Sequence, residues 1–159
     1  MVAYAEIVAH TDGGARGNPG PAGIGVHLAS TSGKTIEEIA EAIGHATNNV
    51  AEYKAVIRAL ERAAELGARR VTVKADSLLV VEQLKGVYKV KNAGLKPLHT
   101  QARALMSGFE TVVFEHVRRE RNKKADALVN AAIDQWVDAY GDEPPLPEPD
   151  DDAPPTLFG

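Results

Sequence analysis

Four carboxylates stand where short sequence elements should begin or end. Asp12 follows the apolar run Ala5–Ala9. Glu52 falls in the first turn of a helix that the cluster Thr47-Asn48-Asn49 would cap. Asp76 closes the alternating Val71, Val73 and Ala75. Asp126 falls in the first turn of a helix over 123–140. Each acid has an ordinary role open to it. Glu52 and Asp126 would complement a helix macrodipole, and Asp76 precedes the cap residue Ser77. Taken together they have another. Strand ends and helix starts of an open α/β sheet meet at one edge, where ligands bind. Crowded carboxylates raise one another's pKa unless a cation sits among them. The chain has no cysteine, and all-oxygen ligation favours Mg2+ or Mn2+ over zinc. Two such ions ~4 Å apart are a device for cleaving phosphodiesters.

The elements that must position these acids are readable in outline. Residues 5–12 read as a first strand, running into the glycine-rich stretch Gly13 to Gly20. Residues 22–30 read as a second, with Ile24, Val26 and Leu28 on one face. Ser32-Gly33 suggests a hairpin turn. Over 34–46, Ile36, Ile39, Ala40 and Ile43 fit helical spacing at least as well as strand alternation. As a hairpin partner, this segment would need a bulge near Glu37–Glu38. Tyr53, Val56, Ile57, Leu60 and Ala64 give the long helix one apolar face, and Gly67 stops it. Ser77 caps a brief helix carrying Leu78, Val81 and Leu84. A basic loop over 87–97 leads to a helix from Pro97 to about Met106. Val112–Val117 is the last strand. Leu128, Val129, Ala132, Ile133, Trp136 and Val137 form the stripe of the last helix. The order is mixed α/β: early strands pair as antiparallel hairpins, and later ones, each after a helix, pair parallel.

Charge is unevenly spread. The 159 residues carry a net −4, but 142–159 hold six acids and no base, leaving 18 bases against 16 acids before them. The bases cluster as Lys85, Lys89, Lys91 and Lys96, and as Arg118, Arg119, Arg121, Lys123 and Lys124. Such patches suit a phosphate backbone, or are simply solvated faces. No apolar run has membrane-spanning length and no signal-peptide pattern opens the chain, so a cytoplasmic monomer without membrane contact is expected. One domain over 1–140 is expected, with 141–159 an acidic, proline-rich tail, disordered or extended. The tail ends Thr156-Leu157-Phe158-Gly159. It is either a solubilising appendage, or Leu157 and Phe158 dock on a partner or on the body.

The segments TDGGARGNPGPAG, NNVAEYKA, ADSLLVV and RNKKADALVNAA together resemble ribonuclease H type 1, in family order and over roughly residues 5–140. The resemblance implies a ribonuclease H-like fold: a five-stranded mixed sheet, three strands antiparallel and two parallel, with helices on both faces. It makes 34–46 the third strand. It puts the metal ligands at Asp12, Glu52, Asp76 and Asp126, holding two Mg2+ ions, with Mn2+ as a substitute. One ion would activate water and the other stabilise the leaving oxygen. The implied activity is hydrolysis of the RNA strand of an RNA/DNA hybrid, leaving 5′-phosphate and 3′-hydroxyl ends. Gly13, Gly14, Gly17, Asn18, Thr47, Asn48 and Asn49 would meet the minor groove, where the 2′-hydroxyl marks RNA. Lys89, Lys91 and Asn122 would add nucleic-acid contacts. Asn48 and Asn49 also have a capping role open to them.

Two departures stand out. Well-known members carry a long basic handle where this chain has only the short loop 85–98, which points to a handle-less branch and a more salt-sensitive grip. Many members also carry a mobile histidine before the last motif. Here Arg119 takes that place, and its role would be electrostatic, because arginine cannot act as a base. His116 reads as structural. Two other activities fit the motifs: a broader nuclease that also cuts double-stranded RNA, and a catalytically idle hybrid-binding module. The presence of all four carboxylates argues against the latter.

Overall fold

The computed structural model describes residues 4–141. The tail over 142–159, with Leu157 and Phe158, lies outside the described residues. Strands β1 (Glu6–Ala15), β2 (Gly20–Ala29) and β3 (Thr35–Ala46) come first. Then follow α1 (Asn48–Glu65), β4 (Arg70–Ala75), α2 (Leu78–Leu84), α3 (Lys96–Met106), β5 (Thr111–His116), a single 3₁₀ turn (Arg119–Arg121) and α4 (Lys123–Tyr140). The sheet order is β3-β2-β1-β4-β5. β1, β2 and β3 pair antiparallel, whereas β4 pairs parallel with both β1 and β5. This is the mixed sheet implied by the motifs, with β1 at its centre.

Alternation decides which helix covers which face. Ile7 and Ala9 of β1, Val26 and Leu28 of β2, and Val71 and Val73 of β4 point to one side. There they are buried against Tyr53, Val56 and Leu60 of α1 and Val80, Val81 and Leu84 of α2. Burial of large apolar side chains at this density supplies most of the favourable folding free energy. On the other face α4 lies over β2, and here the sheet has almost no side chains. A Cβ on Gly25 would collide with the Ala125 carbonyl, and one on Gly23 would press on Ala132 and Ile133. The helix therefore seats directly on backbone, with Ala125, Val129, Ala132 and Ile133 buried.

The segment 34–46 is a strand, not the helix its apolar spacing suggests. The pairing with β2 skips Ile36 and Ile43, so one bulge sits beside Glu37, near where the hairpin reading requires it, and a second at Ile43. Each bulge reverses the alternation, which is how a strand comes to carry isoleucines three and four residues apart. Glu37 and Glu41 of β3 pair with Arg62 and Arg58 of α1 at 2.7 and 2.9 Å. The caps are where the sequence puts them: Thr47 Oγ1 accepts from the Val50 amide and Ser77 Oγ from the Val80 amide. β1, by contrast, does not stop at Asp12 but continues in register with β2 through Ala15.

Candidate active site

Asp12 is the register partner of Gly25, so it lies at the point where both covering helices approach the sheet most closely. Gly13 lies beneath the start of α1, where a Cβ would collide with the backbone of Ala51 and Glu52. That close approach carries Glu52 to Asp12. Asp76 leaves β4 one residue after Ala75, which pairs in register with Thr11. Asp12, Glu52 and Asp76 each offer a carboxylate oxygen, and these atoms all lie within 4.8 Å of one another. On the other face, Ala125 is pressed against Gly25, and the next residue, Asp126, lines the same crevice. The four acids thus share one crevice of about 750 Å³, with Asp126 at its side rather than in the close triad.

The electrostatics are those of an anionic cluster withdrawn from water. Asp12 and Glu52 are buried, 6% and 8% exposed. Burial, with Asp76 and Asp126 adding negative charge, pushes the Asp12 carboxyl up to about 7. Burial, then Asp12 and Asp76, raise Glu52 well above the ordinary carboxylate range. Glu52 Oε2 is buried and has no hydrogen-bond partner. An unpartnered buried oxygen costs about 1–3 kcal/mol unless something positive meets it. A hard divalent cation fits this donor set: oxygen-only, crowded, and mutually repelling without one.

The remaining expected residues divide. Arg119, in the 3₁₀ turn, lines the crevice, and its Nε lies 4.0 Å from Asp76 Oδ2 with the side chain 86% exposed. His116 Nε2 donates to the Asp76 carbonyl at 3.2 Å, which braces the end of β4. Asn18 Oδ1 accepts from the Asn48 amide at 3.0 Å, and Asn48 Oδ1 accepts from the Ala15 amide at 2.9 Å. Both oxygens are thereby used inside the protein, leaving the NH2 groups as donors. Asn49, Gly13 and Gly14 line the crevice, while Thr47 is the α1 cap and Gly17 holds a φ of 89° in the exposed β1–β2 turn.

Gly17, Asn18 and Thr47 do not line the crevice themselves, and Asn122, Lys89 and Lys91 are not at it either. Asn122 is 1% exposed, and its Nδ2 donates to the Thr11 carbonyl at 2.8 Å. It fastens the start of α4 to β1 and is out of reach of a ligand strand. Lys89 lines a separate groove between α2 and α3, with Tyr88, Lys96 and Arg103. Lys91 is exposed in the same loop. Conversely, Arg16 and Asn130 line the crevice and had drawn no attention in the sequence. Arg16 pairs with Asp134 at 2.6 Å, tying the β1–β2 turn to α4. The only signal for Asn130 was its spacing of four from Asp126, whose Oδ2 it reaches at 3.5 Å.

A five-stranded mixed sheet in this order, with acids from β1, α1, β4 and α4 meeting at one crevice, defines a protein of ribonuclease H-like fold with a divalent-cation type of site. The family model described as reverse transcriptase-like matches residues 10–132. Over 130 residues the chain is 48% identical to the "Bifunctional protein Rv2228c" of Mycobacterium tuberculosis, covering 81% of this chain and 36% of that one. The solved N-terminal RNase H domain of that protein superposes with a TM-score of 0.82 at 46% identity, covering 85% of this chain and 98% of that one. The "Ribonuclease HI" of Halobacterium salinarum is 44% identical over 129 residues, covering 81% of this chain and 65% of that protein. LC11-RNase H1 from compost, solved in complex with an RNA/DNA hybrid, gives a TM-score of 0.79 at 47% identity, with coverage of 82% and 99%. The chain belongs to the ribonuclease H type 1 family. It spans about a third of the length of its mycobacterial relatives. Among the described residues no helix is long and apolar enough to cross a membrane.

Proposed function

We propose that the chain is an endonuclease that hydrolyses the RNA strand of RNA/DNA hybrids, working as a monomer through the domain over 1–140. The observation that carries this reading is the triad of Asp12, Glu52 and Asp76, with oxygens within 4.8 Å and one of them buried without a partner. The hybrid bound to LC11-RNase H1 supports the choice of substrate.

Asp12, Glu52, Asp76 and Asp126 would hold two divalent cations, Mg2+ first and Mn2+ as a substitute. Bound there, the ions would lower the pKa of a water and offset charge on the leaving oxygen, leaving 5′-phosphate and 3′-hydroxyl ends. The protein's own contribution is positional. Asp12 sits on the central strand, and the bracing of β1, β4 and α4 fixes the donors before substrate arrives. Arg119 presents a permanent positive charge with a planar fork of donors beside Asp76, suited to two phosphate oxygens at once. The NH2 groups of Asn18 and Asn48 are suited to the acceptor-rich minor groove, where 2′-hydroxyls separate RNA from DNA. With a short α2–α3 loop in place of a handle, Lys85, Lys89, Lys91 and Lys96 would give an outlying, salt-sensitive grip.

The test is cleavage of end-labelled RNA/DNA hybrid, double-stranded RNA and double-stranded DNA, with Mg2+ or Mn2+, by the chain and by Asp12→Asn. Cutting confined to the RNA of the hybrid, and lost in Asp12→Asn, is expected. Metal-independent cutting would refute the reading. So would tight hybrid binding with no cutting under either metal, which would make the chain a binding module.

A further inference from the structure

A second cavity lies on the α4 face of the sheet, beyond the start of that helix, where the ends of β1 and β2 are left uncovered. Its volume is about 410 Å³. The floor is His10 and His27, register partners on β1 and β2 whose rings meet edge to face at 6.3 Å. Lys74, Arg121, Lys123 and Lys124 contribute to its walls, with Glu120 as the one acidic lining residue. Glu115 lies 3.8 Å from Lys74. Four cations against one lining acid, around a concave surface, make a positive pocket suited to an anion, with Lys74 shared with Glu115.

Two further observations point to a ligand. Lys123 and Lys124 occupy the first two positions of an 18-residue helix. Cations there face the positive end of the helix dipole and destabilise it unless an anion sits with them. His27 is 4% exposed. One ring nitrogen, Nε2, lies 3.0 Å from Thr35 Oγ1; the other, Nδ1, is buried with no partner. If the Thr35 hydroxyl donates to Nε2, Nδ1 carries the proton and wants an acceptor, which an oxyanion supplies. Burial, with Lys124 adding positive charge, also lowers the pKa of His27, which favours the neutral ring.

We propose that this cavity is a phosphate-binding subsite. Its position indicates whose phosphate. Glu120 lines both this cavity and the catalytic crevice, and the intervening 3₁₀ turn carries Arg119 towards one and Arg121 towards the other. A strand leaving the crevice over that turn would deliver its backbone here, beyond the paired part of a hybrid. This assignment of the source rests on the proposed hybrid-cleaving function. The phosphate chemistry of the cavity does not.

Two arms separate these. In EDTA, 15N-labelled protein is titrated with inorganic phosphate and its amide spectrum followed. Shifts at His27, Lys74 and Lys124 are expected, and their loss in the double variant Lys74→Ala, Lys124→Ala. His27→Gln, which keeps a donor, should retain part of the response. In the second arm, fluorescent hybrids with and without a single-stranded extension are bound in EDTA. The extended hybrid should bind about three- to tenfold tighter at low salt, with a salt slope steeper by about one to two. The double variant should abolish that ratio. Phosphate shifts without any gain from the extension would support the subsite and assign it to free phosphate. No shifts and no gain, in a protein whose spectrum shows it folded, would overturn the proposal, whether or not blunt hybrid is cut.

Discussion

Replacing Asp12 by Asn should stabilise the metal-free protein, and by an amount that depends on pH in a defined direction. The carboxyl is raised from 3.8 to about 7, first by burial and then by its acidic neighbours. In the unfolded chain it ionises near its ordinary value. A carboxyl raised on folding supports the folded state fully below about pH 4, and that support is lost as pH climbs towards 7. Three pH units at 1.36 kcal/mol each amount to about 4 kcal/mol. Asp12 and Glu52 repel one another and share this cost, so the neutral amide recovers about 2–4 kcal/mol above pH 7 and almost nothing near pH 4. At about 3 °C per kcal/mol for a domain of this size, Tm should rise by about 6–12 °C at pH 8. Thermal unfolding followed by circular dichroism in EDTA, at pH 4 and pH 8, measures it. Mg2+ at pH 8 should raise the Tm of the wild-type chain by mass action and have little effect on Asp12→Asn. An equal gain at both pH values, or no gain at pH 8, would show that repulsion among these acids is not what limits stability.

Arg119→Ala should lower kcat about a hundredfold, roughly 3 kcal/mol, with KM little changed, and Arg119→Lys should recover only part, because a point charge lacks the fork; steady-state kinetics on hybrid decides, and an effect on KM alone would make it a phosphate anchor. Replacing Lys89, Lys91 and Lys96 together by Ala should raise KM and flatten its salt dependence while sparing kcat; an unchanged salt slope would mean the α2–α3 loop does not meet phosphate. Gly25→Ala should lower Tm by an amount corresponding to about 2 kcal/mol and reduce kcat as well, since the Ala125 carbonyl must move and Asp126 moves with it; wild-type kinetics in a destabilised variant would separate the packing from the chemistry.

The acids and most elements were legible because each left a local trace: caps at Thr47 and Ser77, a glycine stop at Gly67, two-residue alternation in β2 and β4. β3 was not legible from its own residues. Its two bulges at Ile36 and Ile43 convert a period of two into spacings of three and four, and only Ile39 is buried along the strand. What fixes it as a strand is pairing with β2 and the Arg58 and Arg62 contacts from α1, all distant in sequence. The glycines after Asp12 misled in another way. They read as lying beyond the end of the first strand, whereas β1 runs on through Ala15, and Gly13 both lines the crevice and lets α1 sit close on β1. Asn122 looked like a surface donor, and only the fold shows its side chain turned inward to the Thr11 carbonyl. Of the cavity floored by His10 and His27, the sequence showed only the basic cluster that supplies Arg121, Lys123 and Lys124; Lys74 and the two histidines come from other elements and left no signal.

β1 lies in the middle of the sheet, with a strand on each side and a helix on each face. Separating β1 from β2 or β4, or lifting α1, breaks into the hydrophobic core, whereas α4 is a separate layer seated on the backbone of β2. The amide hydrogens of Thr11 and Asp12 should therefore exchange with deuterium only through global unfolding, at the slowest rate in the molecule. The proposed hybrid cleavage should then fail close to the temperature at which the domain melts.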